Sequence, residues 1–361
     1  MSRPVRKRRY IPQHTRRGNP QREERFDNVR GMLIILVVIG HFLMPLYQTR
    51  FITGIFHAIY IFHMPCFVLV SGYYSKSIYK GGRFRWGKIV QMLWIYFLYE
   101  NVVNITEGLL AGNIPLFPNY FRESGAPWYV LVMAYYYATV PIFHRITSNS
   151  GKVMTVLMLA VGVSFIKYVI HTGSILCLDR ALSFLPFFYA GYFINQSNVD
   201  RYILWPGKRM VELIAAAILL IVFLTTYDFL MRFNLVIYGA DYARYGEAFL
   251  PWAWLINIVW YAAAFIISVA FIGIMLNRRM FIITDLGKNT LPIYFIHRPL
   301  RDILQYAGFF ALINPHSKLN VIAFLGFCFL LTVFLGNPVI SSLFKRVRSV
   351  FDPLLEKVGA L

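Results

Sequence analysis

Long runs of apolar residues without charge recur between residues 31 and 343 of this 361-residue chain. A run of about 17–25 residues lets a helix cross a bilayer, where lipid offers no partners to backbone N–H and C=O groups. The runs do not alternate between apolar and polar residues, as the strands of a membrane barrel do. Only 14% of the residues are charged, which is too few to coat a soluble globule of this size. The sequence therefore predicts an all-α fold, a polytopic transmembrane bundle of about ten helices.

The predicted spans are bounded by charged residues, glycine or proline. They cover residues 31-47, 53-74, 88-106, 127-147, 153-170, 180-195, 211-231, 251-276, 288-310 and 319-343. If the N-terminus is inside, most of the 36 Lys and Arg residues fall in cytoplasmic segments, as the positive-inside rule requires. Both termini are therefore predicted to be cytoplasmic, in a multi-pass protein of the cell membrane.

The N-terminal tail, residues 1-25, is rich in Arg, Pro and Gln and nearly free of apolar side chains. Such a segment cannot bury enough surface to fold, so a disordered cytoplasmic tail is predicted. Its positive charge favours contact with the lipid bilayer through anionic lipids. Nucleic acid is not an expected partner, because the tail lacks interleaved aromatic residues and a folded module. A transmembrane domain at residues 26-345 and a short cytoplasmic C-terminal tail at residues 346-361 complete the predicted organisation.

The first span carries a polar stripe. Arg30 and His41 are eleven positions apart in the sequence, so a helix places them about 20° apart around its axis and roughly 16 Å apart along it. Asp27 joins the same face if the helix is already wound at that point. An ionisable group in hydrocarbon is costly, and its presence favours a function over simple hydrogen bonding within the bundle.

Two further histidines are predicted to lie at about the depth of His41. His63 is near the middle of the second span, and His297 is near the middle of the ninth. Equal depth does not prove proximity, because three helices can hold these rings on different sides of the bundle. Imidazole suits proton transfer near neutral pH, whereas pairing within the bundle is the alternative role of each ring. No HxxxH or HxH pair places two ligands on one segment, so no metal site is predicted.

Charged residues also interrupt two of the later spans. Glu100 lies within the third span, and Arg298, Arg301 and Asp302 lie within the ninth. Such charges survive in a membrane only where they face protein or water. The ninth span is therefore predicted to be buried in the bundle.

Five sequence motifs are informative together: FDNVRGMLIILVVIGH, IFHMPCFVLVSGYY, PWYVLVM, LSFLPFFYAGYFI and LPIYFIH. They resemble one protein family, the integral membrane acyltransferases of acyltransferase family 3, and most of all its fucose 4-O-acetylase branch. The first motif contains an arginine followed, after ten residues, by a histidine. In the family's pattern, Arg30 and His41 match the residues held to be essential.

The resemblance implies a cytoplasmic acyl-CoA donor, with acetyl-CoA expected, and an extracytoplasmic sugar acceptor on a polysaccharide, glycolipid or other cell-envelope glycan. A sugar hydroxyl that attacks a thioester needs a base, a group that stabilises the oxyanion, and the exclusion of water. His41 is predicted to be that base, or a transient acyl carrier. Arg30 and Asp27 complete the predicted catalytic stripe. His63 and Ser71 are expected to orient the base or the thioester, and His297 to line the acceptor side.

The loop KSIYKGGRFRWGK is the predicted site for the phosphates of CoA. Its Arg83, Arg85 and Lys88 lie on the cytoplasmic side together with Arg30, and arginine forks suit phosphate. Membrane topology alone also explains these positive charges.

Trp128 and Arg180, which follows Asp179, are the candidates for contact with a sugar at the outer face. An aromatic ring stacks on sugars, and a charged group bonds to hydroxyls. For Trp128 the sequence favours interfacial anchoring over sugar contact, since tryptophan is common at membrane surfaces.

Two other functions compete with acyl transfer. Helices with buried polar groups also describe a polysaccharide or small-molecule transporter, although no internal repeat is evident. A non-catalytic subunit of envelope assembly, docked through the basic tail, is the third alternative.

Overall fold

The computed structural model describes residues 24–357, apart from 48, 81, 114–119, 122–124, 171–174, 226–233, 241 and 243–245. Most of the predicted disordered tail therefore lies outside the described residues, and Glu24 and Arg25 already belong to the first helix. The last four residues of the predicted C-terminal tail, 358–361, also lie outside them.

The described residues are almost entirely helical. The helices are α1 Glu24–Leu43, α2 Arg50–Tyr60, α3 His63–Tyr74, α4 Gly87–Ala111, α5 Trp128–Phe143, α6 Asn149–Ile166, α7 Leu178–Phe193, α8 Gln196–Leu204, α9 Lys208–Thr225, α10 Asn234–Ile237, α11 Ala253–Ile274, α12 Phe281–Lys288, α13 Thr290–Tyr306, α14 Lys318–Leu335, α15 Pro338–Arg348 and α16 Asp352–Lys357. A two-stranded antiparallel hairpin, β1 Tyr79–Lys80 and β2 Arg83–Phe84, connects α3 to α4.

The all-α fold that the sequence predicts is confirmed. Five helical segments in the described part of the chain are long and apolar enough to cross a membrane. They are Glu24–Leu46, Arg50–Ile78, Asn149–Ile166, Leu250–Ile274 and Lys318–Leu335. The count of ten spans and the cytoplasmic position of both termini stay predictions.

The predicted second span, residues 53-74, is not one continuous helix. It breaks at Ile61 and Phe62, between α2 and α3. Pro65 explains the break, because it has no N–H to donate to the carbonyl of Ile61 four residues earlier. The indole Nε1 of Trp260 donates to that carbonyl instead, at 3.1 Å. The break places His63 at the first position of α3.

The predicted last span, residues 319-343, is likewise interrupted. Helix α14 ends at Leu335, and α15 begins at Pro338 after Gly336 and Asn337. Asn337 caps α15, since its side chain accepts a hydrogen bond from the N–H of Val339 at 2.8 Å.

Helix α1 lies at the centre of the bundle and packs against α2, α3, α12, α13 and α14. Its sequence GMLIILVVIG is apolar around the whole helix, as expected of a helix surrounded by protein. The segment Arg50–Ile78 is buried over 78% of its most apolar window, whereas the corresponding figure for α6 is 11%. The α2–α3 segment therefore belongs to the interior, and α6 presents most of its surface outward.

Glycines let the central helices approach to backbone contact. A Cβ atom on Gly191 of α7 would lie 1.8 Å from the carbonyl oxygen of Leu69 in α3. A Cβ on Gly72 of α3 would lie 2.0 Å from the carbonyl oxygen of Phe188. Small residues at such crossings allow close packing where lipid supplies no hydrophobic drive between helices. The α3–α7 pair thus requires glycine on both sides.

We predict that Gly191→Ala lowers the thermal unfolding temperature in detergent, because the added methyl group forces α3 and α7 apart. The cost is on the order of 1–3 kcal/mol, as for other overpacked interiors. Gly162→Ala on α6 is the matched control, since no atom lies within 4 Å of its Cβ position. A thiol-reactive dye reports unfolding through the buried free cysteines Cys66, Cys177 and Cys328. Equal unfolding temperatures for the two variants would contradict the proposed packing.

Candidate active site

His41 of α1 and His297 of α13 form a hydrogen-bonded pair in the interior. The Nδ1 atom of His41 lies 2.8 Å from Nε2 of His297, and the ring centroids are 4.8 Å apart. His297 is fully buried, and His41 is half-buried. The sequence predicts only a common depth for these rings, and the structure places them in contact.

The hydrogen bonds of His297 fix the tautomer of the neutral pair. Its Nδ1 lies 3.2 Å from the carbonyl oxygen of Ile293. A carbonyl only accepts, so Nδ1 of His297 carries the proton and Nε2 has a free lone pair. That lone pair accepts the hydrogen bond from Nδ1–H of His41. The Nε2 atom of His41 is therefore unprotonated, as a general base requires.

His63 is a neighbour of this pair, with Tyr60 between them. The Tyr60 ring lies 4.7 Å from the ring of His63 and 6.5 Å from that of His41, both centroid to centroid. Nδ1 of His63 donates to the carbonyl of Ile59 at 2.9 Å, which leaves its Nε2 as an acceptor. The structure thus gathers all three histidines in one region and pairs two of them directly.

A cavity of about 230 Å³ lies between α1, α3, α4, α5 and α13, and its described lining includes neither ring of the histidine pair. We call it the inner cavity. Arg30 lines it together with Val37 and Met64. Val37 lies one helical turn before His41, and Met64 is next to His63. The cavity therefore follows α1 from Arg30 toward the histidines, along the stripe that the helical period predicts.

Arg30 is held in place by two neighbours. Its Nη2 donates to Oδ1 of Asp27 at 2.5 Å, and its guanidinium carbon lies 4.8 Å from the centroid of the Tyr74 ring. The Asp27 side chain is fully buried, and a Cβ on Gly287 of α12 would meet its backbone oxygen at 1.7 Å. Asp27 therefore positions Arg30 from the side of α1 that packs against α12, and it does not itself line the inner cavity.

Ser71 also lines the inner cavity. Its hydroxyl donates to the carbonyl of Phe67 at 2.9 Å and accepts from the hydroxyl of Tyr129 at 2.5 Å. Tyr294 of α13 lines the same cavity, and its hydroxyl donates to the carbonyl of Ala126. These polar groups face a wall that is otherwise mainly apolar.

The basic residues of the α3–α4 connection lie apart from this cavity. Arg83 in β2 is exposed, Arg85 is half-buried, and Nζ of Lys88 donates to Oγ of Ser77 at 2.5 Å. None of the three lines the inner cavity as described. The hairpin is fixed to the bundle because the Tyr79 ring stacks on His144 at 4.2 Å.

Trp128 and Arg180 contact each other. The guanidinium carbon of Arg180 lies 5.3 Å from the centroid of the Trp128 ring, which also stacks on Phe184 at 5.1 Å. Trp128 is only 8% exposed, so it packs inside the bundle. The interfacial anchoring favoured by the sequence does not fit this burial, and a ring already stacked on protein has less surface for a sugar.

The sequence alone assigns no role to four charged residues that line a second, more open cavity, namely Glu107, Arg298, Arg301 and Asp302. Arg298 donates to Asp302 at 2.7 Å and to Glu107 of α4 at 2.9 Å, and Arg301 also bonds to Asp302. The signal was present, because three of these charges interrupt the ninth span directly after His297. Residues 291–302 of α13 are all buried or half-buried, as expected of charges that must face protein or water.

Glu100 is fully buried, and its carboxylate accepts a hydrogen bond from Nδ2 of Asn104 at 3.2 Å. Within the described residues, no group of three His, Cys, Asp or Glu side chains is arranged to hold a metal ion.

Helices of membrane length around an interior histidine pair are typical of an integral membrane protein with an interior polar site. The acyltransferase domain family matches residues 23–337 of the chain. The protein therefore belongs to the membrane acyltransferases of acyltransferase family 3. The resemblance seen in its motifs is confirmed at the level of the family.

Two curated relatives match a short part of the chain. Nodulation protein NolL of Sinorhizobium fredii (strain NBRC 101917 / NGR234) is 44% identical over 64 residues, which are 17% of this chain and 18% of that protein. Nodulation protein NolL of Mesorhizobium japonicum (strain LMG 29417 / CECT 9101 / MAFF 303099) is 44% identical over 64 residues, 17% of each chain. The chain thus spans less than a fifth of the length of these relatives. No solved structure matches it significantly.

We predict that the neutral ring of His41 carries its proton on Nδ1 and that His297→Leu removes this preference. Leucine cannot accept the hydrogen bond from Nδ1–H, so the tautomer is no longer fixed. Nitrogen NMR of the protein labelled at histidine, with His41 assigned by comparison with His41→Gln, distinguishes protonated from bare ring nitrogens. A proton on Nε2 of His41 in the wild type would refute the deduced arrangement.

Proposed function

We propose that the protein is a multi-pass O-acyltransferase of the cell membrane, with about ten spans and both termini cytoplasmic. It moves an acyl group, in our proposal acetyl, from cytoplasmic acyl-CoA to a hydroxyl of an extracytoplasmic sugar or cell-envelope glycan. The observation that carries this proposal is the His41–His297 pair, because His297 lies in α13 between residues that line the inner cavity and residues that line a second, more open cavity.

The two cavities meet α13 on either side of His297. Leu291 and Tyr294 line the inner cavity, whereas Arg298 and Arg301 line the second one, which we call the outer cavity. At a rise of about 1.5 Å per residue, Leu291 and Arg301 are roughly 15 Å apart along the helix. A donor in the inner cavity and an acceptor in the outer cavity would therefore approach the histidine pair from opposite sides.

His41 supplies the base in this proposal. Its Nε2 lone pair takes the proton from the acceptor hydroxyl while the oxygen attacks the thioester carbon. A C–O bond forms, the C–S bond breaks, and the proton on Nε2 passes to the departing thiolate. Nδ1–H of the imidazolium remains bonded to His297 throughout. Attack by Nε2 itself, giving a transient acyl-histidine, uses the same tautomer and stays the alternative.

The inner cavity suits the flexible arm of CoA. The hydroxyl oxygens of Ser71 and Tyr129 can accept hydrogen bonds from the amide N–H groups of such an arm, since their own protons are already donated. Met64 and Phe67 offer apolar surface to its methylene groups. Arg30 lines this cavity. Arg83, Arg85 and Lys88, in the connection between α3 and α4, supply the positive charge that the nucleotide phosphates require.

Family membership supports acyl transfer over the two other functions considered. A proton-accepting histidine inside the bundle also suits a proton-coupled transporter, so the family match is what separates the two functions. Neither alternative is favoured by a particular contact in the described residues.

We predict that His41→Ala lowers acyl transfer by about 10²–10⁴-fold, the range expected for loss of a general base. Transfer of label from radioactive acetyl-CoA to glycan in solubilised membranes of the producing cells measures the activity. His297→Gln should retain more activity than His297→Leu, because the amide oxygen of glutamine can accept the hydrogen bond from His41. His316→Ala, which changes an exposed histidine, is the control. Full transfer by a correctly inserted His41→Ala protein would rule out the proposed base.

We predict that Arg83→Gln combined with Arg85→Gln raises the KM for acetyl-CoA by roughly tenfold or more, since hydrogen bonds to charged groups contribute about 1.5–3 kcal/mol each. The KM for S-acetylpantetheine, which lacks the phosphates, should not change. Arg209→Gln is the control, because the Arg209 side chain is 89% exposed elsewhere. An equal rise for both donors would show that these arginines do not bind phosphate.

A further inference from the structure

Two hydrogen-bond donors converge on one sulfur atom just beyond the end of α1. The hydroxyl of Tyr60 donates to Sδ of Met44 at 3.9 Å, and Nη1 of Arg301 donates to the same atom at 3.8 Å. A thioether is a weak acceptor. Within the described part of the chain, the Tyr60 hydroxyl has no stronger acceptor than this sulfur. Two donors thus face an atom that bonds only weakly to either of them.

Both donors are enclosed by protein and held in place. Tyr60 and Arg301 are each 7% exposed. The Tyr60 ring stacks on Phe56 with centroids 3.9 Å apart, and a Cβ on Gly40 would lie 2.8 Å from its Cε2 atom. Asp302 accepts from Nε of Arg301 at 3.0 Å and also from Nη2, so it anchors the guanidinium by these two nitrogens. Donors fixed in this way need no rearrangement when a charge forms beside them.

The two donors lie next to the histidine pair. Met44 follows His41 by three residues, and Arg301 follows His297 by four. Residues three or four apart are neighbours on a helical surface, so this contact lies beside that of the two histidines along the same pair of chain segments. The ring of Tyr60 meets that of His41 edge to face, with centroids 6.5 Å apart and an angle of 89° between the planes.

Acyl transfer creates a negative charge that the site must stabilise. When the acceptor oxygen attacks the thioester carbon, a C–O bond forms and an electron pair of the carbonyl moves onto its oxygen. The base and the donors to this oxyanion each lie about 3 Å from the same tetrahedral intermediate. A spacing of about 5 Å, one helical turn, between His41 and the two donors is compatible with both distances.

We propose that Tyr60 and Arg301 form the oxyanion hole of this site. The Met44 side chain is 38% exposed and flexible, so it can turn aside and leave both donors to an anionic oxygen, which is a far stronger acceptor. Neither donor gives up its proton. The electron pair returns to the carbonyl as the C–S bond breaks, and the departing thiolate takes the proton from Nε2 of His41. This assignment rests on the proposed function, because it names the groups that stabilise the charge formed in that reaction.

The competing role of the two contacts is to fix Met44. A buried hydroxyl without a strong acceptor is costly, whereas phenylalanine would fill the same space without that cost. The same cost is useful where the hydroxyl must later donate to a charge that exists only during the reaction. Tyrosine at this position therefore favours a part in the reaction over packing alone.

The test measures kcat and the KM for acetyl-CoA separately, by label transfer to glycan in solubilised membranes. Tyr60→Phe should lower kcat by about 10²–10³-fold with little change in KM, the loss expected for one oxyanion donor. Arg301→Gln should lower kcat by a similar factor. Tyr136→Phe is the matched control and should leave kcat unchanged, because this buried hydroxyl donates to the carbonyl of Ala181 at 2.8 Å, away from the histidine pair.

Met44→Leu separates catalysis from packing. Leucine fills similar space but accepts no hydrogen bond, so this change removes the same two contacts while leaving both donors in place. The proposal expects a far smaller loss of kcat than in Tyr60→Phe, and wild-type unfolding temperatures for both variants. Wild-type kcat in Tyr60→Phe, or an equal loss in Met44→Leu, would overturn it. If Tyr60→Phe does not fold, the same comparison with Arg301→Gln decides.

Failure of the oxyanion hole is distinguishable from failure of the proposed function. If the wild-type protein transfers no label to glycan, or if His41→Ala transfers it fully, the proposed function itself is refuted. If the wild type transfers label and requires His41, but Tyr60→Phe matches the wild type, only the oxyanion hole is refuted.

Discussion

The hydrogen bond between His41 and His297 is the contact on which the site depends, because it joins helices α1 and α13 through two residues that are 256 positions apart in the chain. Two neutral rings can bond in this way only if each presents the correct nitrogen. The carbonyl of Ile293 fixes the proton of His297, and His297 then fixes the proton of His41. Backbone geometry within one helix thereby determines which nitrogen of a side chain on another helix is free to accept a proton.

The packing of the bundle serves this alignment. Gly31 of α1 and Gly287 of α12 bring two backbones into contact, where a Cβ on either would meet a carbonyl oxygen at 2.0 Å or less. Pro65 breaks the α2–α3 segment, and Trp260 bonds to the carbonyl that the break leaves free. The break at this point puts His63 at the start of a new helix, close to the ring of Tyr60. Features that look like irregularities of a membrane helix therefore place side chains near His41, the proposed base.

The sequence predicts those parts of the site that follow from one helix alone. Arg30 and Asp27 lie three residues apart, so the helical period is enough to foresee their contact. The depth of His297 also follows from its position in the span. Its pairing with His41 does not, because that contact depends on how α13 is rotated against α1. Trp128 shows the same limit, since the motif places it at a helix start but only the packing of α7 reveals that it is buried.

The neutral partner of His41, the proposed base, has a physical consequence. A carboxylate beside His41 would stabilise the imidazolium more strongly, but an unpaired charge in the bundle interior carries a large desolvation cost. A second imidazole accepts the same hydrogen bond without adding a charge. The base is then less strongly polarised than one supported by an aspartate. A thioester, the donor of the proposed reaction, is activated and tolerates a weaker base, so this pairing suits the proposed transfer better than it would suit attack on an unactivated amide or ester.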